Sequence, residues 1–290
     1  MILMLVLMQQ IFILTTSYNK YFICSQWIIG CIYLLMDTFI KINSLKKVFG
    51  EGEDKVHAFG PVNISINRGE FVSILGPSGC GKSTLMLMMA GLLEPTSGDI
   101  SFEGKFVDGP KNDIGIMFQD NTLVPWRTVE GNIKLQLELR NLNIDKYKDK
   151  IFNILKSVKL EDFTHRFPSE LSGGMQQRAA FCQAMIHEPD TILLDEPLGK
   201  LDAMTREKIR SDIQNLWMIN KPTVIFVTHS IEEAVQLSSR VILISPRPGM
   251  VDREINIDLP YPRDLKIKRS NKFFEYVHEI QEVFHEYGVI

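Results

Sequence analysis

Gly76-Pro77-Ser78-Gly79-Cys80-Gly81-Lys82-Ser83 decides how the rest of the chain is read. The octapeptide has the spacing GxxxxGK[ST] and follows an apolar, strand-like run at residues 71–75. Glycines in such a loop let backbone N–H groups turn inward on phosphate oxygens, while the lysine reaches the β- and γ-phosphates. Helical periodicity follows over residues 85–92. A helix starting near Gly81 or Lys82 would add the positive end of its dipole to the phosphate site. Gly76, Pro77, Ser78, Gly79, Cys80, Gly81, Lys82, Ser83 and Thr84 are therefore expected to bind a nucleotide, with ATP and Mg²⁺ as ligands and the Ser83 hydroxyl on the metal.

Working outward, further apolar runs at residues 114–118, 192–194, 224–227 and 241–244 read as strands buried on both faces. Helical patterns separate many of them. This alternation predicts an α/β fold with a mainly parallel core sheet. Runs at 39–42, 62–66 and 100–102 are split by turn residues and predict an antiparallel β flank. Residues 128–140 and 147–158 predict helices of an inserted α-helical subdomain, about residues 120–180. Met86, Met88 and Met89 read as core filler on the helix after the phosphate loop.

Composition narrows the partners. The net charge of −3 offers no global basic field for nucleic acid. Four cysteines form no CxxC pair and join no histidine cluster, which supports neither a zinc site nor a disulfide framework. A reducing cytoplasm fits that usage. Residues 1–35 stand apart as a hydrophobic extension whose only charge is Lys20. Three readings of it stay open: a misassigned start ahead of Met36, a membrane-associated segment, or a span. Residues 36–290 read as the nucleotide-binding domain, with a C-terminal tail from about residue 245.

Ile192-Leu193-Leu194-Asp195-Glu196 sets two acids at the carboxyl end of a buried strand, beside the phosphate loop. Asp195 suits Mg²⁺, and Glu196 suits orienting or deprotonating the attacking water. Gln119 ends one strand and His229 follows another, so their amide and imidazole could reach Mg²⁺, water or the γ-phosphate. Leu171-Ser172-Gly173-Gly174-Met175-Gln176 opens a second helix with an anion-binding start. One nucleotide needs one phosphate loop, so this turn is expected to serve a nucleotide held by a second copy related by a two-fold axis.

Together these motifs make the chain resemble the ATP-binding subunit of an ABC transporter. The resemblance covers about residues 38–290 and implies a P-loop NTPase fold of ABC type that hydrolyses ATP. It implies that Gln119 lies in the Q-loop, that Ser172, Gly173, Gly174, Met175 and Gln176 form the signature, that Asp202 belongs to the D-loop and that His229 is the switch histidine. Phe49 would stack on adenine, with Phe59 the lesser candidate. Implied partners are a second ATPase subunit, transmembrane permease subunits and, indirectly, a periplasmic or surface solute-binding protein, with no nucleic acid. The implied location is peripheral, on the cytoplasmic face of the cell membrane.

A narrower resemblance, to importers of the nitrate, sulfonate, taurine and bicarbonate group, rests on residues 118–129, Ser245-Pro246-Arg247-Pro248-Gly249 and Leu259-Pro260-Tyr261-Pro262-Arg263. It implies that Leu123, Pro125 and Trp126 line the cleft that meets the permease. Met175, Lys200 and Ser230 depart from the commonest family pattern. The alternative is a soluble ATPase of the same type, unlinked to transport.

Overall fold

The computed structural model describes residues 38–288 apart from residues 121 and 200, so the readings of residues 1–35 and of Lys200 lie outside the described residues. β1 (Thr38–Phe49) and β2 (Val56–Asn67) pair antiparallel. β4 (Ser97–Phe102) joins the other edge of β1, and β5 (Lys105–Phe106) completes the order β2-β1-β4-β5. Ile42 and Leu45 both face inward although three positions apart. A register shift between them, with Ser44 at φ 44°, makes this possible: an extra residue restores the facing that plain alternation would lose.

The second sheet has the order β10-β9-β3-β8-β7-β6. Parallel ladders join β3 (Phe71–Leu75), β6 (Ile114–Met117), β7 (Thr191–Asp195), β8 (Thr223–Thr228) and β9 (Arg240–Ile244), while β10 (Val251–Asn256) runs antiparallel at the edge. Every residue of β3, β7 and β8 is buried, as strands covered on both faces require.

α1 (Lys82–Met89) lies between the sheets; Leu85, Met86, Met88 and Met89 share one core with Ile40, Ile42 and Ile64. α2 (Val129–Leu139), α3 (Lys148–Ser157) and α4 (Gly173–Met185) lie in the chain between β6 and β7. They share a second core with α5 (Ala203–Asn220) through Ile133, Leu155, Phe181, Ile209 and Trp217. α6 (Ile231–Leu237), α7 (Leu265–Lys268) and α8 (Asn271–Glu286) follow. Val235, Leu243, Ile255, Phe273 and Ile280 form the third core, where α6 and α8 meet the β9–β10 edge. No helix among the described residues is long and apolar enough to cross a membrane.

The tail is bound in by Arg263, which is 1% exposed. Its guanidinium donates to the carbonyls of Val235 (2.7 Å), Ser238 (2.6 Å), Ile257 (3.0 Å) and Leu259 (3.1 Å), and lies 4.2 Å from the Tyr261 ring centroid. The Tyr261 hydroxyl donates to the Leu237 carbonyl. A buried cation is tolerable only when its donors are satisfied, and here carbonyls at the end of α6 and just after β10 satisfy them.

The structure differs from the sequence reading in particulars. β1 and β2 each run twelve residues rather than breaking at the turn-forming positions. β10 escaped notice because Asp252, Arg253 and Glu254 interrupt its apolar pattern, which an exposed edge strand tolerates. Leu123 is buried in the second core rather than lining a surface cleft.

Candidate functional site: a phosphate loop and its acids

The phosphate loop is clamped from behind. Gly81 sits at φ +103°, and a Cβ there would come within 2.6 Å of the Ala58 carbonyl oxygen and 2.9 Å of the Phe59 ring. Gly249 approaches from the other side: a Cβ on it would meet the Cys80 carbonyl oxygen at 1.9 Å. The Gly60 amide donates to the Gly249 carbonyl at 2.8 Å and closes the clamp. Glycine is needed at both positions because backbone approaches backbone. Phe59, fully buried against Gly81, therefore cannot stack on a base, which corrects its place as a candidate. Phe49 is 43% exposed, with Lys47 Nζ 5.2 Å from its ring centroid.

Lys82 is buried at the start of α1, and its Nζ donates to the carbonyls of Gly76 (2.8 Å) and Pro77 (2.9 Å). The neighbouring Cys80 thiol is pushed up by burial, against the opposing pull of Lys82. At the end of β7, Asp195 Oδ1 accepts from the Ser83 hydroxyl at 3.1 Å. Burial raises the Asp195 carboxyl above its ordinary range, the Ser83 hydrogen bond opposes this, and the charge of Glu196 adds to it. This hydroxyl–carboxylate pair is an all-oxygen donor set suited to a hard cation such as Mg²⁺.

Glu196 is the point of convergence. Its Oε2 accepts from Gln119 Nε2 at 3.1 Å and lies 3.3 Å from His229 Nδ1. Its backbone is in the left-handed region at φ 42°, held by its amide donating to the Val227 carbonyl at 2.9 Å. A non-glycine residue in that region stores strain, a feature that clusters at functional sites. His229 is positioned by its neighbours: Thr228 Oγ1 donates to Glu233 Oε2 at 2.7 Å, and Ser230 caps α6 by accepting from the Glu233 amide. Three strands, β6, β7 and β8, thus deliver Gln119, Asp195 with Glu196, and His229 to one edge of the sheet beside the loop after β3.

The signature residues are held by contacts of their own. Ser172 caps α4, its Oγ accepting from the Met175 amide. Gln176 turns back and donates to the Pro168 carbonyl at 2.7 Å. Asp202 caps α5 by accepting from the Thr205 amide at 3.0 Å. Bonds from the Thr205 side chain and amide hold the Asp202 carboxyl below the usual range. Trp126 is 77% exposed on a loop knotted by the fully buried Asn132. Asn132 Oδ1 accepts from the Val124 amide, and its Nδ2 faces the carbonyls of Val124, Arg127 and Thr128 at 3.0–3.1 Å.

Sequence reasoning did not single out Asn132 or Thr205, and noted Gly249 only as part of a resemblance. Thr205 meets Gly174, and Gly249 meets Cys80, through contacts remote in sequence, while Asn132 ties up a loop four to eight residues before it that no capping or turn pattern marks.

The family model described as ABC transporter matches residues 59–199. An aliphatic sulfonates import ATP-binding protein of Bacillus cereus is 41% identical over 250 residues, covering 86% of this chain and 96% of that protein. An uncharacterised ABC transporter ATP-binding protein of Methanocaldococcus jannaschii is 41% identical over 244 residues, covering 84% of this chain and 90% of its own length. Among solved structures, a dimeric ATP-binding cassette in a post-hydrolysis state with ADP and Pi superposes with a TM-score of 0.67 at 33% identity, covering 76% of this chain and 100% of that one. The chain belongs to the ABC transporter family. It is an ATP-binding subunit of that family and an ATPase.

Proposed function

We propose that this subunit powers an importer by hydrolysing ATP between two copies of itself. The observation that carries the reading is the meeting of Gln119, Glu196 and His229 on one carboxylate oxygen, next to the Ser83–Asp195 pair. In this reading Gly76–Thr84 wrap the phosphates, with Lys82 leaving its two loop carbonyls for the β- and γ-phosphates. Phe49 offers its exposed ring to adenine. Ser83, Asp195 and Gln119 would hold Mg²⁺, which when bound would neutralise charge on the phosphate oxygens.

Glu196 takes a proton from the attacking water, whose O–H bonding pair stays on the oxygen. The water oxygen bonds to the γ-phosphorus as the bond to the β–γ bridging oxygen breaks, leaving ADP and phosphate. His229 leaves the carboxylate of Glu196 to bond the γ-phosphate. Ser172, Gly173, Gly174, Met175 and Gln176 of one copy, with Asp202, face the nucleotide of the other. The dimeric relative supports that pairing.

Pro125 and Trp126 form the exposed part of the segment that meets a transmembrane permease; an exposed, rigidly mounted Trp suits an interface anchor. The subunit then sits on the cytoplasmic face of the membrane. A sulfonate-like oxyanion, delivered by a solute-binding protein, is the solute class supported by the Bacillus relative. In domain terms, residues 36–290 act as one ATP-binding domain, with the helical subdomain at about 120–180 and the tail at about 245–290.

Glu196→Gln tests the assignment. Turnover should fall by about a thousandfold while ATP still binds and a tight dimer accumulates in gel filtration, as expected when the group acting on the transferred proton is lost. Near wild-type turnover would remove Glu196 from this role.

A further inference from the structure

The two glycines of the signature face different surroundings. A Cβ on Gly173 would meet nothing within 4 Å, so that position opens outward. A Cβ on Gly174 would come within 2.4 Å of Thr205 Cγ2 and 3.7 Å of Ile209 Cδ1, both on α5. Carbon atoms pack at roughly 3.5–4.0 Å, so one methyl at Gly174 cannot be accommodated without moving a helix or the Thr205 side chain. Glycine is a poorer helix former than alanine, so its presence at the start of α4 calls for a compensating gain.

Thr205 serves both sides of the contact. Its amide donates to Asp202 Oδ1 at 3.0 Å, closing the first turn of α5, and its methyl occupies the space that Gly174 leaves. The first turn of α4 is closed in the same way by Ser172. Two capped helix starts therefore meet through one missing methyl and one present methyl.

We propose that Gly174 is a positioning residue: by admitting the Thr205 methyl it locks the first turn of α4 onto the first turn of α5, so that Ser172 and Asp202 reach the partner's nucleotide as one rigid piece. This rests on the proposed role of the signature in facing that nucleotide, but it assigns Gly174 a different task, helix seating rather than ligand contact. Ser172 is then aimed from behind, through Thr205.

Steady-state ATP turnover by the full-length chain, measured over a range of ATP concentrations, tests this by rescue. Gly174→Ala should lower kcat by about tenfold or more while a fluorescent ATP analogue binds within about twofold of wild type, because the Lys82 loop is untouched. Gly174→Ala combined with Thr205→Ser, which removes only the obstructing methyl and keeps the amide and hydroxyl, should return kcat to within about threefold of Thr205→Ser alone. A double variant as slow as Gly174→Ala, or a Gly174→Ala chain with full kcat, overturns the proposal. Should Gly174→Ala fail to fold, Thr205→Leu against the isosteric Thr205→Val approaches the same contact from the other helix. A lower kcat for leucine supports the seating, and equal kcat for the two overturns it. Turnover by the wild-type chain reports on the function proposed above, whereas the rescue ratio between variants reports on the seating alone.

Discussion

The phosphate-loop edge and the signature turn are built on opposite principles. Around the loop, four strands, the Ala58–Gly60 segment and the Gly249 turn converge, so that Lys82, Asp195 and Glu196 are all held by bonds formed within one chain. The signature turn has the Ser172 cap, the Gln176 bond to Pro168 and a helix start seated on α5, and a Cβ on its outward-facing Gly173 would meet nothing within 4 Å. The first region is finished by its own fold. The second has a finished shape and an open face, which is how a surface looks when its ligand arrives from another molecule.

Removing a group from the finished region should give the largest effect. Lys82→Ala is expected to weaken ATP by about a hundredfold, since a desolvated, charge-assisted phosphate contact is lost, read by titration with a fluorescent analogue. If affinity stays unchanged, the contrast between the two regions collapses, because the clamped loop would not be the nucleotide grip.

Next in size is a change that loosens the mount of the exposed Trp126 while sparing both regions. Asn132→Leu leaves the Val124 amide and the Arg127 carbonyl without their partner, while the carbonyls of Val124 and Thr128 keep only a backbone donor. Burying unsatisfied backbone groups should lower stability by about 2–3 kcal/mol in urea unfolding. ATP affinity should remain that of wild type; a matching loss of affinity would mean that the helical layer and the phosphate loop are not separable.

The smallest effect concerns His187, just beyond the end of α4. Burial, with the nearby Arg140, pulls its imidazole down to about 4. A folded-state value below the unfolded one means that the unfolded chain binds more protons between about pH 4 and 6.5, so stability rises with pH across that window and is lost on acidification. His187→Gln should flatten the slope of Tm between pH 5 and 6.5 by a few degrees, roughly 2–4 °C per kcal/mol. An unchanged slope would assign the acid sensitivity to other groups.

Legibility followed the same division. The phosphate loop, the Asp195–Glu196 strand end and the helix start at Ser172 are legible because each is a local pattern whose chemistry lies in adjacent residues, whereas Asp202 is reached only through the family resemblance. The long β1 was read short because the bulge at Ser44 breaks the period on which strand recognition depends. The resemblance sets Leu123 in the permease cleft, and nothing in its flanking Thr122-Leu123-Val124 stretch distinguishes such a residue from the core residue that it is. Gly249 is far along the chain from Cys80, the loop residue that it packs against, and no single-sequence pattern reports such a contact.

Arg263 carries a consequence for anyone shortening this protein. Because one side chain from the last thirty residues occupies the carbonyls at the end of the helix that begins just past His229, cutting the gene upstream of codon 263 would unplug that helix from its far side. What looks on paper like a disposable appendix is the keystone under the histidine, and a trimmed version for crystallisation or fusion should retain it.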